Sequence, residues 1–150
     1  VKAVELSDKL LRATINKDEL TVAEIIGEAH QANTSPKFYN NEQALRSVVI
    51  MAYLSSVDDY IRFEELASGK GYIDLLFLPA LQSSKPALII ELKWNKSAEK
   101  AVQQEQDQQY WKFAKQFRYK GKILLVGINY NSKTKKHTCK IKEIESLEKN

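Results

Sequence analysis

Three side chains in the middle of the chain have the types and spacing of a catalytic group. Asp74 interrupts one apolar run, Gly71-Tyr72-Ile73-Asp74-Leu75-Leu76-Phe77-Leu78. Glu91 and Lys93 interrupt the end of a second, Pro86-Ala87-Leu88-Ile89-Ile90-Glu91-Leu92-Lys93. Strand side chains alternate between faces, so Glu91 and Lys93 point one way and Leu92 the other. Two carboxylates close together repel and are costly to desolvate unless a cation lies between them. Mg²⁺ takes oxygen ligands, typically one or two carboxylates with water completing the octahedron. Asp74 and Glu91 supply the carboxylates, and the Leu92 carbonyl is a candidate third protein ligand. Lys93 can orient the attacking water or help deprotonate it, giving a hydroxide aimed at a phosphorus atom.

Both runs are rich in β-branched and aromatic residues and are bounded by Gly, Pro and Ser, which predicts strands. Pro79 to Lys85 between them is turn-forming, so the strands are expected to pair as a hairpin. Tyr60 to Leu66 reads as an earlier strand, with Glu64 and Glu65 facing solvent. Ser97 is a good helix cap, and the spacing predicts one long helix from Ala98 to about Arg118, closed by Gly121. Lys122 to Tyr130 is too apolar to be one-sided and reads as a buried strand. It is expected to lie parallel to the Glu91 strand through a helical crossover. His137 to Ile144 alternates as a closing strand, and the charged tail follows from Glu145. Upstream, helices are expected over Val1 to Asn16, from Lys17 or Asp18 to His30, and from Asn40 or Asn41 to Leu54, with a loop around Pro36. His30 is read as a surface residue at a helix end.

Asp74, then a hydrophobic strand carrying Glu91-Leu92-Lys93, then a Gln-rich helix with Tyr110, resembles the PD-(D/E)XK nuclease superfamily. The flanking residues are similar in particular to the nuclease-like domain at the C-terminus of bacterial AAA-ATPase-like proteins. The likeness runs from about Phe38 to Ile144, with Ile73 where the name-giving Pro would stand. It implies an α/β fold with a restriction-endonuclease-like core, a central mixed β-sheet flanked by helices and an N-terminal helical extension. Residues 1–36 would be that extension or a linker, and 37–150 the nuclease-like domain. It implies metal-dependent hydrolysis of phosphodiesters, with Mg²⁺ or Mn²⁺ as cofactor and nucleic acid as partner, DNA ahead of RNA. An upstream ATPase-like domain would belong to the full-length chain. Glu42, otherwise an acidic residue complementing a helix dipole, matches a helix glutamate that reaches the metal in many members. Gln106 and Tyr110, four apart on one helix face, match a Gln-x-x-x-Tyr motif. Gln104, six before Tyr110, is the other candidate glutamine. Ordinary helix surface is the alternative for either amide.

The 150 residues suit a single core. The net charge is +4, with lysines and arginines crowded into the second half, in one group over Lys112 to Lys122 and another over Lys133 to Lys142. Such patches attract polyanions, and solvated surface lysine is the plain alternative. Cys139 is alone, so no internal disulfide forms, which favours a cytoplasmic setting. No zinc-type spacing, signal peptide or spanning helix is present. The chain opens on Val1 inside a helical pattern, as expected of a piece of a longer protein. Two further readings stand beside the hydrolase: an inactive nucleic-acid- or protein-binding module on the same fold, and a structural core in which Asp74 and Glu91 merely pair with lysines.

Overall fold

The computed structural model describes residues 2–33, 42–53 and 58–145. Helices α1 (Lys2–Ile15), α2 (Glu19–Asn33) and α3 (Glu42–Ala52) precede strands β1 (Tyr60–Ser68), β2 (Gly71–Pro79) and β3 (Ala87–Trp94). Helix α4 (Ala98–Asp107), a 3-10 turn (Tyr110–Lys112) and the short helix α5 (Phe113–Gln116) lead to β4 (Lys122–Asn131) and β5 (Lys136–Glu145). The strands lie in sequence order in one mixed sheet. β1–β2, β2–β3 and β4–β5 are antiparallel, and β3–β4 is parallel. A parallel pair needs a crossover, which α4 and α5 supply. Helices on both faces of a mixed sheet make the restriction-endonuclease-like α/β architecture. The expected loop around Pro36 and the tail after Glu145 lie outside the described residues.

Strand alternation builds two cores. Leu88, Ile90 and Leu92 of β3 join Leu124, Val126 and Ile128 of β4 beneath the N-terminal helices. Leu10, Leu11, Val22, Ile25, Ile26, Leu45 and Val49 fill that layer from α1, α2 and α3. On the opposite face Ala87, Ile89, Ile123 and Leu125 meet Val102, Tyr110, Phe113 and Ala114. Glu91 and Lys93 continue the row of Ala87 and Ile89, so both stand on the α4 side of the sheet.

Gly127 brings α4 down onto that face. It is level with Glu91 in the parallel register, and a Cβ there would collide with the Ala98 carbonyl and lie 2.8 Å from the Ala101 Cβ. Gly127→Ala must therefore push α4 away from β4. We expect a loss of about 1–3 kcal/mol, the usual cost of overpacking a tight contact, read as a lower urea midpoint. An unchanged midpoint would mean that α4 does not bear on β4 at this point.

Two expectations for this half of the chain need correction. The long helix breaks after Asp107, where Gln109 adopts a left-handed conformation at φ 58. The β1–β2 turn takes over the helix-end carbonyls: Lys70 N–H donates to Gln108 O at 2.9 Å and Ser68 Oγ donates to Tyr110 O at 2.9 Å. Nor does Gly121 close the helix. α5 ends at Gln116, the left-handed residue is Arg118 at φ 56, and Gly121 instead lies against the Tyr119 ring.

His30 also departs from its expected surface position. It is fully buried, and its Nδ1 lies 2.8 Å from Nε2 of His137. α2 runs on past it to Asn33 and packs along β5, so the histidine faces the sheet rather than a helix end. The start of α2 is fixed to the same strand. Glu19 Oε2 accepts the Ile141 backbone N–H at 2.7 Å and covers one donor of an edge strand.

Candidate active site

The β2–β3 ladder stops at Leu75↔Ile90. One more step in the same register would set Asp74 directly opposite Glu91. Like charges facing each other across strands are destabilising, and here the strands part. The Asp74 carboxylate enters the opening and takes the place of a ladder partner, its Oδ2 accepting the Leu92 backbone N–H at 3.1 Å. A residue in an antiparallel ladder turns its N–H and C=O to the same neighbour, so the Leu92 carbonyl borders the same gap. The face alternation of β2 slips at this residue too, since Ile73 and Leu76 share one core cluster while Leu75 and Phe77 share the other. Across from it, between the pairs Glu64↔Leu75 and Leu66↔Ile73, Glu65 is held at φ 52. That conformation costs a non-glycine residue about 1–2 kcal/mol.

Glu91 is 4 % exposed. Its Oε2 accepts from Gln104 Nε2 at 2.7 Å and lies 3.6 Å from Lys93 Nζ. Its Oε1 is buried and meets no hydrogen-bond donor among the described residues, while the Asp74 carboxyl group lies within hydrogen-bond reach of the Glu91 carboxyl. Burial, and then the Asp74 charge, push the Glu91 carboxyl up to about 8 against the opposing pull of Lys93. Gln104 links the group. Its Oε1 accepts a hydrogen bond from Lys93 Nζ, and its Nε2 also donates to the Tyr110 hydroxyl at 3.2 Å. Tyr110 is buried, and that burial raises its phenol above the ordinary value.

Asp74, Glu91, Lys93, the Leu92 main chain, Tyr110 and Gln104 thus meet in one place. Gln106 does not come to Tyr110. The four-residue spacing loses its meaning once the helix ends at Asp107, and Gln106 lines a groove with Lys140 and Lys142 on the other flank of α4. Glu42 stands exposed at the first position of α3, and no hydrogen bond or ion pair joins it to Asp74 or Glu91 among the described residues. One turn further along, Arg46 does reach the site. Its Nη2 is 3.0 Å from Asp74 Oδ1 and its Nη1 is 4.0 Å from Glu65 Oε1. The i, i+4 relation of Arg46 to Glu42 was the available signal for it.

Glu105 gave no such signal inside its polar run. It is fully buried between α4 and the sheet, with the Val126 main chain as its polar neighbour. Burial first, and then the charges of Glu91 and Asp74, drive its carboxyl well above the usual carboxylate range.

The donor set fits a hard divalent cation. One buried oxygen of Glu91 meets no donor, the Asp74 carboxylate adjoins it, and the Leu92 carbonyl borders the gap. Among the described residues no three His, Cys, Asp or Glu side chains converge. The protein would thus offer two carboxylates and a carbonyl, leaving the remaining positions to water, as Mg²⁺ prefers. No helix among the described residues is long and apolar enough to cross a membrane.

The family model of the PD-(D/E)XK nuclease superfamily matches residues 40–140. No curated protein matches the chain.

Proposed function

We propose, from the premise that this chain belongs to the PD-(D/E)XK nuclease superfamily, that it hydrolyses phosphodiester bonds of nucleic acid, DNA ahead of RNA, using Mg²⁺ or Mn²⁺ held by Asp74, Glu91 and the Leu92 carbonyl. The observation that carries this reading is the close approach of two carboxyl groups, the buried Glu91, one oxygen of which meets no donor, and Asp74. When bound, the ion supplies activation of water and charge to set against the phosphate. Lys93 stands where its ammonium can position the attacking water and offset charge growing on the phosphate oxygens. Gln104 holds Lys93 and Glu91 at a fixed separation, and Tyr110 holds Gln104. Were Asp74 to turn from Arg46 to a bound cation, the Arg46 guanidinium would be left to take a phosphate oxygen. A guanidinium suits that role because it binds such oxygens in a bidentate fashion.

Gln104→Ala should lower cleavage by about 10–100-fold, the usual effect of losing a side chain that orients metal ligands. Gln106→Ala should stay within about twofold, as surface changes do. Equal losses in the two would remove Gln104 from its assigned role.

The raised Glu91 carboxyl sets the pH dependence. Below about 8 it carries a proton that the cation must displace. Affinity for Mn²⁺ should therefore rise about tenfold per pH unit up to that value and level off above it. Dissociation constants at pH 6, 7, 8 and 9 read this directly, and a flat profile would contradict it.

One observation favours a second reading, a catalytically inactive nucleic-acid- or protein-binding module. Arg46 and the Leu92 N–H already occupy both oxygens of Asp74. Labelled single- and double-stranded DNA and RNA, incubated with the protein with and without Mn²⁺, separate the two. Cutting that needs the metal supports the hydrolase; binding without cutting supports the module.

A further inference from the structure

At the end of the sheet opposite the carboxylates, the close of β2, the start of β3 and the start of β4 surround an open cleft of about 570 Å³. From Lys122 at its edge to Gly127, level with Glu91, β4 runs five residues, roughly 17 Å at about 3.3 Å each. This cleft is therefore separate from the site described above. Lys85, Arg118, Lys120 and Lys122 line it, and among the described residues Glu145 is the one carboxylate in the lining. Lys85 is paired with Asp59 at 2.7 Å and Lys122 with Glu143 at 3.6 Å. Arg118 and Lys120 are exposed and form no ion pair among the described residues.

The loop that carries them is held in place. Tyr119 Oη accepts the Ala87 N–H at 3.0 Å and donates to the Lys122 carbonyl at 2.6 Å, tying the loop to the first residues of β3 and β4. Arg118, at φ 56, turns the chain out of α5 immediately before. The other wall mixes Leu78, Pro79, Ala80 and Pro86 with Ser83 and Ser84, and Leu81 on it is 104 % exposed. A large aliphatic side chain left wholly in water beside two cations that form no ion pair among the described residues suits a ligand with a flat apolar face and an anionic backbone.

The geometry points to a second nucleic-acid contact here: a single strand lies in the cleft, its phosphates on Arg118 and Lys120 and a base against Leu81. A cleft of this volume accommodates a nucleotide unit, and pairing a cationic groove with apolar platforms is how single strands are held without sequence preference. The choice of nucleic acid as the anion rests on the proposed function; the cleft itself does not.

The test is anisotropy of a labelled 20-nucleotide oligodeoxythymidine, titrated with the protein in EDTA at several salt concentrations. Arg118→Ala/Lys120→Ala should bind about tenfold more weakly, with the salt slope reduced by roughly 1.4 for two lost phosphate contacts. Leu81→Ser should bind a few-fold more weakly at an unchanged slope. All three side chains are exposed, so the fold is not at stake. A double variant that binds with the wild-type slope overturns the inference, as does a wild type that binds no strand or prefers duplex of equal length. If strand binding depends on the cleft but no metal-dependent cutting is seen, the hydrolase reading fails and this inference stands. If cutting is seen and the cleft variants bind normally, the reverse holds.

Discussion

Lys93→Ala is expected to lower kcat by roughly 10²–10⁴-fold, the range for losing a positioned proton-transfer or charge-stabilising group, while Mn²⁺ still binds. Its ammonium is the one cation on the Glu91 face that reaches both Gln104 and Glu91. Without it the Gln104 carbonyl loses its donor, and nothing at that position offsets charge building on the phosphate. Lys93→Arg should not rescue the rate, because a planar guanidinium cannot fill the place of a compact ammonium. Single-turnover cleavage set against metal affinity separates the chemical step from binding. A Lys93→Ala protein that cuts at the wild-type rate would take Lys93 out of the chemistry.

Asp74→Ala should have the larger effect, because it removes a metal ligand. Losing several kcal/mol of charge stabilisation corresponds to about 10³-fold or more in rate, and here metal affinity falls with it. The variant also leaves Arg46, mostly buried, with Glu65 at 4.0 Å as its one acidic partner among the described residues, so a modest loss of stability is expected alongside. The carboxyl of Glu91 should move back toward its ordinary range, since the Asp74 charge is the second cause of its shift. Asp74→Asn preserves shape and a hydrogen-bond acceptor for the Leu92 N–H. Its NH₂ then faces the Arg46 guanidinium in place of Oδ1, so this variant should share the modest loss of stability and still lose the activity, and retained cutting in either variant would refute the assignment.

Much of this architecture was legible from local pattern. Apolar runs bounded by Gly, Pro and Ser mark β2 and β3, a run buried on both faces marks β4, and the helical stretch between β3 and β4 calls for a parallel crossover. Parity alone put Glu91 and Lys93 on one face, because that depends only on their being two residues apart. What the pattern missed depends on partners distant in sequence. The helix after Ser97 breaks at Gln109 because Lys70 and Ser68, in another part of the chain, capture its end, and nothing between Gln103 and Tyr110 announces this. The glutamine at the site is therefore Gln104, set by the height at which Gly127 seats α4, and not Gln106. Arg46 reads as an ordinary helix cation until α3 is laid against the opening beside Asp74. His30 and Glu105 look like surface residues in their own segments, and only β5 and β4 bury them.

The account rests on a divalent ion between Asp74 and Glu91, and titration of the metal-free protein with Mn²⁺ by calorimetry reaches it most directly. Run at pH 7 in two buffers of different ionisation enthalpy, it should give one ion per chain and release close to one proton from Glu91. Both signals should vanish in Asp74→Ala and in Glu91→Gln. Failure of the wild type to bind, or binding that survives both substitutions without proton release, would contradict the account.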